Sequence, residues 1–254
     1  MESFIVWRVD VAAHAARLPQ SIHLLDRDER ARAQALRRDA DRIRFAVGRV
    51  TLRELLGAAL GSDPVDLAFS TGEFGKPRLR EAVADLHFNT SHGGDWVLHA
   101  ISRRGPVGVD VEAIRPSLAR VDDFAAVLSE REIADLRALG PAERERAMGR
   151  LWTRKEAYVK ALGEGAFRPL ASIDVGGTRD GAPFSPEDRN PGATRDAWRL
   201  MDLPVDGRHA GCVAWWTTGG EPPVVRDYRG PVADTALRPA AWRPPTGAGL
   251  SAGR

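Results

Sequence analysis

The sequence predicts an α+β protein organised as two halves, and three observations carry that reading. Two capping-box signatures, Asp26 with Glu29 and Ser129 with Glu132, each open a helical region. Short apolar runs punctuated by Gly and Pro follow both regions and read as mostly antiparallel strands. A chain of 254 residues with 43% apolar side chains can build the core that one large domain or two modest ones require.

Taken in order, the opening "SFIVWRVDV" reads as a strand. Helix is expected from about 26 to 60, where Ile43, Val47, Val50 and Leu55 recur at near-helical spacing and Arg42, Arg44, Arg49 and Arg53 decorate the remaining surface. Gly61 ends that run. Strands follow at "VDLAFS", "LHF", "WVLHAIS" and "VGVDV", separated by the turns of "TGEFGKPRL", "SHGGD" and "RRGP", so the first half spans 1–107. In the second half, 108–226, the helix opened at Ser129 is expected to stop at Gly140, and Pro141 starts a longer one that runs to Gly163. Met148, Leu151, Trp152, Val159 and Leu162 form its apolar stripe. "SIDV", "WRLMDL" and "HAGCVAWW" read as strands, with "GGTRDGAPFSPEDRNPG" as a loop between the first two. Residues 227–254 are a Pro- and Gly-rich tail expected to lie loose on the surface.

Composition excludes several classes of function. Lys and Arg number 37 against 35 Asp and Glu, and this near balance exerts no global pull on nucleic acid. The Arg-rich helix carries only Phe45 as an interleaved aromatic and includes Asp26, Asp28, Glu29, Asp39 and Asp41, which weakens it as a phosphate stripe. The single Cys212 can form neither an internal disulfide nor a zinc cluster and fits a reducing, cytoplasmic setting. No secretory leader is visible, and no run approaches the ~20 apolar residues that span a bilayer.

Chemistry concentrates in four stretches. In "GVDVEAIRP", residues 108–116, strand alternation turns Asp110 and Glu112 to one face, where two carboxylates repel each other unless a cation compensates. Hard oxygen ligands suit Mg²⁺. In "LWTRKEAYVK", Trp152, Glu156 and Lys160 lie along one helix face, so Glu156 is either half of an exposed ion pair worth ~0.3–0.5 kcal/mol or a third carboxylate beside that strand. "FNTSHGGDWVLHAIS" puts Ser91 and His92 in a turn where they could face an anion, and Lys76 sits in the rigid turn of "GKPRL". Each has a plainer reading when isolated: a solvated strand end, a hydrogen-bonded turn histidine, a solvated loop lysine.

In this order, "GKPRL", "FNTSH", "GVDVE" and "LWTRKEAYVKALGEG" resemble the Sfp-type 4′-phosphopantetheinyl transferases, which activate acyl and peptidyl carrier proteins. The resemblance runs from about 26 to 170, and the chain is too long for the short, trimeric holo-carrier synthases. It implies a monomer of two similar α+β halves related by a pseudo-twofold, with coenzyme A in the cleft between them. It further implies Asp110, Glu112 and Glu156 as Mg²⁺ carboxylates. Lys76 and His92, with Ser91 and Arg44, would hold the 3′-phosphate and adenosine end, and Lys155 and Lys160 would stand beside the pyrophosphate. Trp152 would pack the catalytic helix, and Gly93 stands where the family commonly shows serine. A carrier serine would attack the β-phosphorus of coenzyme A and expel 3′,5′-ADP, with Glu156 as base, directly or through water, and Lys160 stabilising the developing charge. The carrier is expected to dock on the segment after "GVDVE", at Arg115, Arg120, Phe124, Val127 and Leu128. The competing reading of the same carboxylates is a metal-dependent phosphohydrolase acting on a nucleotide-like pyrophosphate.

Overall fold

A computed structural model describes residues 4–71, 77–81, 85–165, 168–177, 181–194, 197–217 and 221–231. The first half opens with strand β1 (Phe4–Asp10), whose last residue accepts from the Ala13 amide at 3.0 Å and so caps α1 (Val11–Ala15). The short α2 (Leu18–Ser21) follows. Both sides of the Asp26 and Glu29 capping box form, starting α3 (Arg27–Ala35), and α4 (Asp39–Leu60) ends at Gly61 with φ +67°. The single helix expected over 26–60 is therefore two. Leu36 and Arg38 adopt extended backbone between them, and Arg42 Nε holds the Leu36 carbonyl at 2.7 Å, which stabilises the break.

Strands β2 (Phe69–Thr71) and β3 (Pro77–Leu79) pair with each other, so "PRL" is strand rather than turn. Strands β4 (His87–Gly93) and β5 (Trp96–Ser102) make an antiparallel hairpin. Ser91 and His92, expected in its turn, lie in the strand opposite Leu98 and Val97, and only Gly94 and Asp95 connect the two strands. In the second half come β6 (Val107–Ala113), α5 (Glu130–Arg137) and α6 (Pro141–Leu162). Gly140 does not stop α5; it is the N-cap of α6, with Pro141 at the first helical position and Gly163 closing the helix at φ +76°. The chain then forms β7 (Ile173–Asp174), β8 (Glu187–Asp188), β9 (Trp198–Asp202), β10 (His209–Trp216) and β11 (Val224–Asp227).

The described strands form a four-stranded sheet, β11-β1-β5-β4, a three-stranded sheet, β6-β10-β9, and two small pairs. Strand β11 returns to the first half and runs parallel to β1, while Tyr228, expected in a loose tail, is 3% exposed and bonded to Glu54. The rest of that tail beyond 231 lies outside the described residues. Helix α4 packs Val47, Leu52 and Leu55 on Ile5, Val97 and Ile101. Helix α6 packs Met148, Tyr158 and Ala161 on Leu200, Cys212 and Ala214. Between the sheets, Val6, Leu98 and Ala100 meet Val109, Val111 and Val213 in a third buried cluster. The architecture is thus α+β, with two sheets pressed face to face and one 22-residue helix on the outer side of each. No helix among the described residues is long and apolar enough to cross a membrane.

Candidate active site

The two sheets leave β4 and β6 as neighbouring edges, and the candidate site is built where they touch. Asn89 Oδ1 accepts from the Val109 amide at 2.8 Å, satisfying a donor on the β6 edge. Two residues further along, Ser91 Oγ donates to Asp110 Oδ1 at 2.7 Å. Alternation on β6 then turns Gly108, Asp110 and Glu112 towards α6, as the sequence pattern implies. Gly108 makes the packing possible. A Cβ there would collide with the Ala157 carbonyl and lie 3.0 Å from Ala161 Cα, so the helix backbone rests directly on the strand.

That close approach brings Lys160 Nζ to 2.6 Å from Asp110 Oδ1 and 3.2 Å from Ser91 Oγ. Asp110 is 2% exposed, yet its buried Oδ2 has no hydrogen-bond partner among the described residues. A desolvated carboxylate oxygen in that state calls for a cation. Glu112 and Glu156 flank it. Burial and the Asp110 charge raise the Glu112 pKa, and burial raises that of Glu156, with Asp110 adding and Lys160 opposing. The three carboxylates sense one another, although among the described residues no group of three His, Cys, Asp or Glu is drawn tightly enough to cage a metal by side chains alone. The donor chemistry fits a hard divalent cation, with Asp110 supplying the free oxygen.

On its other face β4 presents Thr90 and His92 to a cavity of about 810 Å³, lined also by Arg27, Arg32, Arg49, Phe69 and Arg80. Arg44 does not line the cavity; from α4 it donates to the Gly94 carbonyl at 2.9 Å and pairs with Asp41, close enough for its charge to act on His92. Desolvation in the cleft, and then the Arg44 charge, hold His92 below the usual imidazole range. Lys76, expected to join this group, lies outside the described residues. Of the arginines, the family resemblance implies a ligand-holding role only for Arg44. Arg32, Arg49 and Arg80 come together only when α3, α4 and β3 converge, which no local spacing shows.

Three further expectations change. Ser91 faces Asp110 rather than the cavity, because neighbouring positions on a strand point to opposite sides. Lys155 does not face the cleft: it is fully buried, 2.8 Å from Glu132 Oε2 and bonded to the Leu170 and Ile173 carbonyls. Its burial lowers its pKa while the Glu132 charge opposes that shift. Leu128, expected on a docking surface, is 2% exposed in the core, and half-buried Phe124 and Val127 pack against it. Phe124 meets Trp152 edge-on at 6.3 Å, so Trp152 anchors α6 from outside the cleft.

Comparisons with known proteins match both halves of the chain in order. Residues 12–104 match a model described as "4′-phosphopantetheinyl transferase, N-terminal", and residues 106–213 match the 4′-phosphopantetheinyl transferase superfamily. The chain is 32% identical over 219 residues to the 4′-phosphopantetheinyl transferase HetI of Nostoc sp., covering 85% of this chain and 89% of that protein. It is 36% identical over 142 residues to the 4′-phosphopantetheinyl transferase Sfp of Bacillus subtilis, covering 56% and 61%. Similarity to the 4′-phosphopantetheinyl transferase AcpT of Salmonella typhimurium reaches 42% over 127 residues, covering 48% and 61%. With both halves matched in order and 32% identity to one relative across 85% of the chain, this chain belongs to the 4′-phosphopantetheinyl transferase superfamily.

Proposed function

We propose that this enzyme transfers the 4′-phosphopantetheine arm of coenzyme A to a serine hydroxyl of an acyl or peptidyl carrier protein and releases 3′,5′-ADP. The observation that carries the reading is the buried Oδ2 of Asp110, without a hydrogen-bond partner among the described residues, set beside Lys160 and backed across β4 by a polar cavity that four arginines and four carboxylates line. Asp110, Glu112 and Glu156 would hold Mg²⁺, which when bound supplies positive charge to the pyrophosphate.

The chain's own residues divide the remaining work. His92 in the cavity wall, with Arg44 beside it, holds the 3′-phosphate end of coenzyme A, a role the family resemblance extends to Lys76. Ser91 fixes the Asp110 carboxylate by donating to Oδ1. Lys160 stands where charge develops as the bond between the β-phosphorus and its bridging oxygen breaks, and it stabilises the departing 3′,5′-ADP. Glu156 accepts the serine proton as the new oxygen–phosphorus bond forms, and its raised pKa suits that role. Both halves contribute to one site, so a single chain acts as a monomer. With its only cysteine buried, the chain suits a reducing cytoplasm.

Purified apo-carriers incubated with the enzyme, coenzyme A and Mg²⁺ provide the test. Mass spectrometry should show a carrier heavier by one phosphopantetheine arm. Release of free phosphopantetheine without any carrier would mark a phosphohydrolase instead, a reading no structural observation favours.

A further inference from the structure

A chain of hydrogen bonds crosses the first half from α4 to the cavity wall. Thr51 Oγ1 lies 2.8 Å from the Val47 carbonyl one turn earlier and 2.8 Å from His99 Nε2. His99 Nδ1 lies 3.0 Å from Thr90 Oγ1, and the two residues sit directly opposite each other on β5 and β4. Thr51 is 2% exposed and His99 fully buried, while Thr90 lines the cavity.

Proton counting gives the chain a direction. Thr51 has one hydroxyl proton, and the carbonyls of Val47 and Gly48 behind it, at 2.8 and 3.3 Å, take it. Its oxygen is left to accept from His99 Nε2–H. Burial, with the Arg49 and His92 charges, lowers the His99 pKa to about 3, so the ring is neutral and carries only that proton. The bare Nδ1 then accepts the Thr90 hydroxyl proton, and Thr90 Oγ1 keeps only lone pairs for the cavity.

We propose that Thr51 and His99 are positioning residues that fix Thr90 as a hydrogen-bond acceptor in the cavity wall, where it reads a donor on the nucleoside of the bound coenzyme A. The inference rests on the coenzyme A reading of that cavity. A phosphate oxygen would meet only lone pairs at Thr90, whereas His92, two residues along the same face, suits the phosphate. The ~6.7 Å between such positions places Thr90 alongside the nucleoside. Two groups there carry a donor: the amino group of the base and the ribose 2′-hydroxyl.

Calorimetric titration of the full chain with Mg²⁺ separates them, using 3′,5′-ADP, inosine 3′,5′-bisphosphate and 2′-deoxyadenosine 3′,5′-bisphosphate. Wild type should bind 3′,5′-ADP about tenfold more tightly than whichever analogue lacks the donor that Thr90 reads. Thr90→Val should erase that preference by weakening 3′,5′-ADP and the analogue that keeps the donor, while leaving the other analogue unchanged, and Thr90→Ser should restore it. Thr51→Val removes the acceptor of His99 Nε2–H without touching ligand, and should reduce the preference in protein of matched melting temperature. Imidazole nitrogen NMR should show His99 protonated at Nε2. Equal binding of all three ligands to wild type, a full preference retained in Thr90→Val, or a proton on Nδ1 would overturn the inference. Failure of wild type to bind 3′,5′-ADP at all would instead overturn the coenzyme A reading beneath it.

Discussion

Lys155 Nζ lies 2.8 Å from Glu132 Oε2, and neither side chain has any exposed surface. The first half repeats the device. Glu29 closes the earlier capping box and meets Arg53 Nε at 2.7 Å, with the Arg53 side chain fully buried on the other long helix. In each half the buried cation also bonds two carbonyls of the segment that follows its helix: Pro64 and Leu67 for Arg53, Leu170 and Ile173 for Lys155. These correspondences give the pseudo-twofold physical content, because the same polar staple ties a capping-box helix to a 22-residue helix twice.

Lys155→Met should therefore destabilise the fold, by about 3–5 kcal/mol in urea unfolding, because Glu132 would be left charged and buried. The KM for coenzyme A of the folded fraction should hardly change. Unaltered stability with a raised KM would put Lys155 back beside the pyrophosphate.

Asp110→Asn keeps an acceptor for Ser91 but removes the charge that faces Lys160. Transfer should fall by about a hundredfold or more. The melting temperature without Mg²⁺ should stay close to that of wild type, and the rise on adding Mg²⁺ should vanish. A large loss of stability without Mg²⁺ would make Asp110 a structural residue.

His99 provides a pH signature. Its folded pKa of about 3 lies below the unfolded value near 6.5, so the unfolded chain binds the extra proton between those limits. Its contribution to stability is complete above about pH 6.5 and is lost as pH falls towards 3. Between pH 6 and 4, unfolding free energy should fall more steeply in wild type than in His99→Gln, by about 1.4 kcal/mol per pH unit. Parallel slopes would mean that His99 already titrates in the folded state.

Arg115 is the exposed cation nearest the carboxylates on the segment after β6, close enough to oppose the rise in the Glu112 pKa. Arg120 is already paired with Asp123 at 3.1 Å. If acidic carriers dock here, Arg115→Glu should raise the KM for the carrier about three- to tenfold at low salt, and Arg120→Glu less. The KM for coenzyme A should stay constant in both. A carrier KM unmoved by either reversal places docking elsewhere.

The parts of this protein legible in its sequence are those set by local spacing. Both capping boxes, the glycine stops at Gly61 and Gly163, and the shared face of Asp110 and Glu112 follow from periods of 3.6 and 2. What sequence reading missed depends on contacts between distant segments. The side of β4 on which Ser91 lies is set by its pairing with β5 through Gly93, which leaves only two residues for the turn. Lys155 looks like Lys160 along the chain, and only the packing of α5 on α6 shows that one is enclosed and the other is not. Strand β11 is invisible in pattern because its pairing with β1 joins segments over 200 residues apart.

Gly93 makes the strongest case for context over family pattern. The family's common serine is absent here, and a Cβ at this position would run into the Val111 carbonyl oxygen and lie 2.9 Å from its carbon. Both atoms are backbone of β6, so no side chain can swing away to relieve the contact. Gly93→Ser should therefore push β4 from β6 at the point where Ser91 holds Asp110. It should lower stability by about 1–3 kcal/mol and reduce kcat, without tightening coenzyme A. If the serine instead lowered the KM for coenzyme A at unchanged melting temperature, the two strands would have room to separate, and the close contact between the halves would not be what aligns the site.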